Sequence, residues 1–118
     1  MGSLYEQQCV PCRGGVHALT PDEIMVYKPQ VQDWRVIERK GILRLERSFW
    51  FKNFAHALAF TNRIGTLAEA EGHHPAILTE WGRVTLTWWT HKIGGLHSND
   101  FIMAAKSDQV YQEMQAPK

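Results

Sequence analysis

Three of the six histidines of this chain lie between residues 69 and 91, in the stretch EAEGHHPAILTEWGRVTLTWWTH. Imidazole is the side chain that titrates closest to neutral pH, so a cluster of this kind suits proton transfer. Glu69 stands four residues before His73, which places carboxylate and ring on one helix face if the last turn persists. A carboxylate so placed fixes a histidine tautomer and favours its charged form. His74 follows directly, and Pro75 stops a helix and biases His74 toward extended backbone, so the two rings point differently. His91 closes a strand-like run, and Asp100 opens a helix-like one, where an acid is electrostatically favoured. Taken singly, each has an ordinary role, as a helix-end histidine, a solvated strand end or a first-turn acid; taken together they describe a site. Two or three histidines with a carboxylate also suit a metal. The helical His-to-His spacing of zinc sites is missing, however, and adjacent histidines do not share a helix face.

The elements that must position these residues are legible along the chain. In TPDE, Thr20 caps, Pro21 suits the first turn and Glu23 completes a capping box, so a short helix runs to about Tyr27. From Trp34 to Phe51 two apolar runs flank RKG; in the second, Leu43, Leu45, Phe49 and Phe51 alternate with Arg44, Glu46, Ser48 and Trp50, a hairpin with one wet face. From Asn53, residues Phe54, Ala57, Leu58, Thr61, Ile64, Leu67 and Ala68 recur at helical spacing until Gly72. AILTEW, a break at Gly82, and then Val84, Leu86 and Trp88 alternating with Arg83, Thr85 and Thr87 make a second hairpin, whose second strand ends at His91. KIGGLHSND is a loop, and Ser98 or Asn99 is placed to cap a last helix. The order α-β-β-α-β-β-α predicts an α+β fold: a four-stranded antiparallel sheet with three helices on one face. Strand ends and helix starts at one edge of such a sheet are where small sites are built.

A chain of 118 residues is long enough for one core. Thirteen Lys and Arg against twelve Asp and Glu leave almost no net field to attract nucleic acid or anionic lipid. No apolar run approaches the roughly 18 residues of a membrane span, and no secretory signal pattern opens the chain, so a soluble, cytoplasmic protein is expected. Residues 1–19 form a Cys-containing lead-in to a domain spanning 20–118. Its CVPCRGG holds both cysteines, but Pro11 and the Gly14-Gly15 pair suggest a loop, not the strand-then-helix setting of a redox motif. Zinc held by Cys9 and Cys12, with His17 as third ligand, lacks a fourth. Two reduced thiols in a mobile lead-in are the expectation.

Glu69, His73-His74-Pro75, Trp81, His91 and Asp100 stand at the spacings of a known signature, and the chain resembles the pterin-4a-carbinolamine dehydratases over most of its length. TPDEI resembles that family's opening helix, Trp34 the tryptophan beginning its first strand, FKNFAHALAFTNRIGTLAEAEGHHP its long helix, and WWTHKIGGLHSNDFIMAA its last strand, loop and helix. The resemblance implies dehydration of 4a-hydroxytetrahydropterin to quinonoid dihydropterin, recycling the cofactor of aromatic amino acid hydroxylases, with neither metal nor redox cofactor. It implies His73 and His91 as acid and base, Glu69 orienting and charging His73, His74 contacting the pterin, Asp100 at the substrate site in a supporting role, and Trp34 packing near the flat ring. It also implies a homodimer or a dimer of dimers, with Trp50, Trp88 and Trp89 as candidate contact aromatics. The same fold serves protein-binding members, a transcriptional coactivator and a carboxylase assembly factor among them; the whole signature here favours the enzyme.

Overall fold

The computed structural model describes residues 3–10 and 17–115. Helix α1 (Pro21–Tyr27) starts on the expected capping box: Thr20 Oγ1 accepts from Glu23 N–H, and the Glu23 carboxylate accepts from Thr20 N–H. Strands β1 (Arg35–Arg39) and β2 (Ile42–Trp50) form the first hairpin. At its turn both Lys40 (φ 55°) and Gly41 (φ 77°) adopt positive φ, the turn whose twist matches that of the strands. Helix α2 (Phe54–Glu71) follows, then the hairpin of β3 (Ala76–Glu80) and β4 (Arg83–Trp88), and last α3 (Ser98–Gln115). All strand pairs are antiparallel, in the spatial order β1-β2-β4-β3, so the two hairpins join through β2 and β4.

The period-2 pattern selects the face of the sheet that α2 and α3 cover. Leu45, Phe49, Val84, Leu86 and Trp88 are buried there, with Phe49 against Phe60 of α2 and Tyr111 of α3. Arg47 occupies the same face as a charged exception. Its guanidinium reaches Asp108 at 2.6 Å and lies over the rings of Phe49 and Tyr111. Burial pushes the Asp108 carboxyl above the usual carboxylate range, although the bond from Trp34 Nε1 and the Arg47 charge oppose that. On the opposite face, Glu46 is only 8 % exposed. Its burial raises the pKa, but the hydrogen bonds from Arg39 and Thr87 and the charges of Arg39 and Arg35 outweigh that, leaving the carboxyl below its ordinary range.

The face of α2 departs from expectation. Ala57, Phe60, Ile64 and Ala68 point inward, whereas Phe54 and Leu58 stay exposed. Residues 3–10 of the lead-in are not loose. Leu4 is buried in the core, its N–H donates to Gln30 Oε1, and Lys106 of α3 donates to the Tyr5 carbonyl. Among the described residues no helix is long and apolar enough to cross a membrane.

Candidate active site

Gly72 decides which carboxylate meets which histidine. It adopts the left-handed conformation (φ 66°), its N–H donates to Glu69 O, and the His73 N–H donates to Ala68 O, the paired bonds of a Schellman cap. The chain therefore leaves the helix axis one residue before His73, and the Glu69–His73 pairing expected from four-residue spacing does not form. Glu69 Oε1 instead bonds His74 Nε2, both side chains being largely exposed. His73, 8 % exposed, directs Nε2 to Asp100 Oδ1 at 2.6 Å. Its ring lies parallel to that of Trp88, at 5.8 Å and 6°.

Asp100 is wholly buried at the start of α3. Its Oδ2 accepts from Thr90 Oγ1 (2.8 Å) and from His97 N–H (2.9 Å). The cap of α3 is His97, not Ser98 or Asn99 as expected: its Nδ1 accepts from Asn99 N–H, and Asp100 at the third helical position reaches back to its N–H. An ionised carboxylate only accepts, so the proton between Asp100 and His73 resides on His73 Nε2. That fixes the ring's orientation and tautomer and leaves Nδ1 as the nitrogen not committed to Asp100. With no exposed surface, Asp100 faces the His73 ring, the Thr90 hydroxyl and the His97 N–H from inside the protein.

Antiparallel pairing of β3 with β4, in the register Ala76 opposite Thr87, brings the residues before β3 beside those after β4. There a cavity of about 510 Å³ is walled by Gly72, His73 and His74 on one side and by Trp89, Thr90, His91 and Lys92 on another; Glu71, Asn99, Cys9 and Val10 complete it. Its size suits a small molecule. His91 does not end a strand. It begins a 3-10 turn (His91–Ile93) and is exposed, with its ring 4.6 Å from that of Trp89. Arg44 backs Trp89 from 4.1 Å.

Two further expectations change. Trp34, 1 % exposed, lies in the core with Nε1 bonded to Asp108 and its ring edge-on to Phe49, and it does not line the cavity. The aromatic residue at the cavity is Trp89, two residues before His91 and hence detectable from position alone. Trp88 is buried core, whereas Trp50 and Trp81 are exposed, Trp81 at the β3–β4 turn and so at the far end of that hairpin from the histidines. Among the described residues no three His, Cys, Asp or Glu side chains are grouped to hold a metal ion. Cys12 of the weighed zinc set lies outside the described residues, and His17 is exposed near Glu23.

The family model for pterin 4 alpha carbinolamine dehydratase matches residues 17–110. Proteins of Nitrosococcus oceani and Microcystis aeruginosa, each carrying the name "Putative pterin-4-alpha-carbinolamine dehydratase", are 58% identical over 93% of this chain and 97% of the relative, and 50% identical over 98% and 100%. A crystal structure of a transcriptional coactivator/pterin dehydratase from Brucella melitensis superposes with a TM-score of 0.73 at 30% identity, covering 80% of this chain and 98% of that one. A pterin dehydratase-like RuBisCO assembly factor of the alpha-carboxysome shares the fold, with a TM-score of 0.58 at 24% identity over 67% and 89% of the two chains.

Proposed function

Because the chain belongs to the pterin 4 alpha carbinolamine dehydratase family, we propose that it dehydrates 4a-hydroxytetrahydropterin to quinonoid dihydropterin by imidazole acid/base catalysis. The carrying observation is one cavity shared by His73, His74 and His91, in which His73 is oriented by the buried Asp100. In the reaction the bond from C4a to its hydroxyl breaks, a double bond forms between C4a and N5, and the N5 proton is lost, so that water is the second product. One imidazole takes the N5 proton; the other, protonated, delivers a proton to the departing hydroxyl. Neither step requires more than groups that titrate near neutrality. His73 and His91 are assigned these transfers. His74, tethered by Glu69, contacts the pterin, and Trp89 offers a flat ring beside His91.

Two finer readings belong with this one. Exposed Trp50, Leu78 and Trp81 on and near the uncovered sheet face support self-association into a homodimer or homotetramer, which light scattering measures. Recycling of tetrahydropterin for an aromatic amino acid hydroxylase in the cytoplasm follows from the proposed product. The second reading is a protein-binding member of the family, favoured by the coactivator name of the Brucella melitensis protein. The dehydratase assay separates them: loss of 4a-hydroxytetrahydropterin absorbance faster than the spontaneous rate supports the enzyme, and a folded, oligomeric but inactive preparation supports the binding role.

A further inference from the structure

The lead-in forms a side of the cavity. Its Cys9 N–H donates to Glu71 Oε1 at 2.8 Å. Val10 is clamped twice by one side chain, its N–H donating to Asn99 Oδ1 at 3.0 Å and its carbonyl accepting from Asn99 Nδ2 at 2.7 Å. Asn99 is 1 % exposed and its amide imitates a strand partner for the backbone of Val10, which is itself 55 % exposed. Among the residue types, only an amide side chain can both donate and accept in this arrangement; a carboxylate of the same shape sets oxygen against the Val10 carbonyl. Leu4 in the core and the Lys106 bond to Tyr5 anchor the segment upstream.

Asn99 and Asp100 are consecutive in the first turn of α3, so one turn of helix holds both the lead-in and, through Asp100, the His73 ring. The Cys9 and Val10 N–H groups and the Val10 carbonyl are bonded to Glu71 and Asn99, and the Cys9 thiol donates to Asn99 O at 3.9 Å, so what this wall presents to the cavity is the sulfur of Cys9, held on α3, and the side chain of Val10. These are uncharged and mostly apolar, facing a cavity otherwise lined by three imidazoles, Lys92, Glu71 and the ring of Trp89. A pterin combines polar ring edges with apolar ring faces and a substituent at C6, which suits such a division. Residues 9 and 10 lie outside the stretch matched by the family model, yet the Microcystis aeruginosa relative aligns over 98% of the chain.

We propose that Cys9 and Val10 form an apolar wall of the pterin site and that Asn99 and Glu71 are positioning residues that hold it there. The inference rests on the dehydratase reading. Asn99→Asp keeps the size of the side chain and adds a charge that the start of a helix tolerates, so the fold is expected to persist. In that variant KM for 4a-hydroxytetrahydropterin should rise about tenfold while kcat stays within about threefold, because His73, Asp100 and His91 are untouched; loss of apolar contact in Val10→Ala should raise KM about threefold. Amide hydrogen exchange over residues 3–10 should quicken in Asn99→Asp, and 7,8-dihydrobiopterin should slow it in the wild type. An active wild type with KM unmoved in both variants and no ligand protection of residues 3–10 overturns the wall and leaves the dehydratase standing. A fall in kcat at constant KM in Asn99→Asp also overturns it, since the residue would then act through Asp100. In a wild type that binds 7,8-dihydrobiopterin without turnover, the dehydratase reading fails and Kd replaces KM as the test of the wall. Failure to bind as well overturns both.

Discussion

Replacing Asp100 by Asn tests the core of the site, because the structure states what the amide must do. Two donors, Thr90 Oγ1 and His97 N–H, converge on Oδ2, so the amide oxygen must sit there, and the amide NH2 then faces His73 Nε2. A donor now stands where an acceptor was. His73 escapes the clash only by moving its proton to Nδ1, which inverts the tautomer and removes the lone pair from the nitrogen not committed to Asp100. Weakening charge-assisted bonds to a buried carboxylate costs on the order of 2 kcal/mol, which in a chain of this size lowers Tm by about 8 °C. Catalysis should suffer far more. Loss of a correctly oriented and protonated imidazole removes a factor of about 10² from proton transfer, and up to about 10⁴ where the wrong tautomer is enforced. The assay is kcat for 4a-hydroxytetrahydropterin dehydration, with near-UV circular dichroism and Tm measured on the same preparations. A folded Asp100→Asn enzyme retaining kcat within threefold of wild type would refute the claim that Asp100 acts by orienting His73.

Other perturbations separate positions that look alike in sequence. Glu69→Ala removes only an exposed pair with His74, so stability should change by less than about 0.5 kcal/mol in urea titration, and kcat should fall far less than in Asp100→Asn. Trp34→Phe should cost about 1–3 kcal/mol through the lost bond to Asp108 and the lost ring volume, with KM unchanged; a raised KM would return Trp34 to the substrate site. Glu46 is held below its ordinary value of 4.5, so its stabilisation is present above that value and is lost as pH falls through the lower folded value. The urea midpoints of wild type and Glu46→Gln should therefore differ most near neutrality and converge as pH falls below 4.5 and through the lowered folded value, and a gap that widens with acid would contradict the assignment.

Local patterns carried most of the fold because each rests on short-range chemistry. The Thr20 capping box, the turn at Lys40 and Gly41, the Gly72 stop and the alternation of Val84, Leu86 and Trp88 are all decided within a few residues. That His73, His74 and His91 come to one cavity was legible for the same reason, since they follow a helix and a strand that meet at one edge of the sheet. Their pairing was not, because a single left-handed glycine between Glu71 and His73 redirects the chain, and spacing alone cannot say that the helix ends one residue too early for Glu69 to reach His73. The bonds of Asp100 to Thr90 and His73, the burial of Trp34 on Asp108 and the docking of Val10 on Asn99 join residues 10 to 89 positions apart, beyond the reach of periodicity. Cys9 and Val10 read as loop because Pro11 and the glycines follow them, and nothing local signals their partners Glu71 and Asn99.

The most direct measurement is the initial rate of 4a-hydroxytetrahydropterin loss with the wild type, His73→Ala and His91→Ala at equal concentration, in the presence of a metal chelator. Catalysis by the two imidazoles predicts a wild-type rate well above the spontaneous one and a fall of about a hundredfold or more in each variant. Unchanged rates in both folded variants would contradict it.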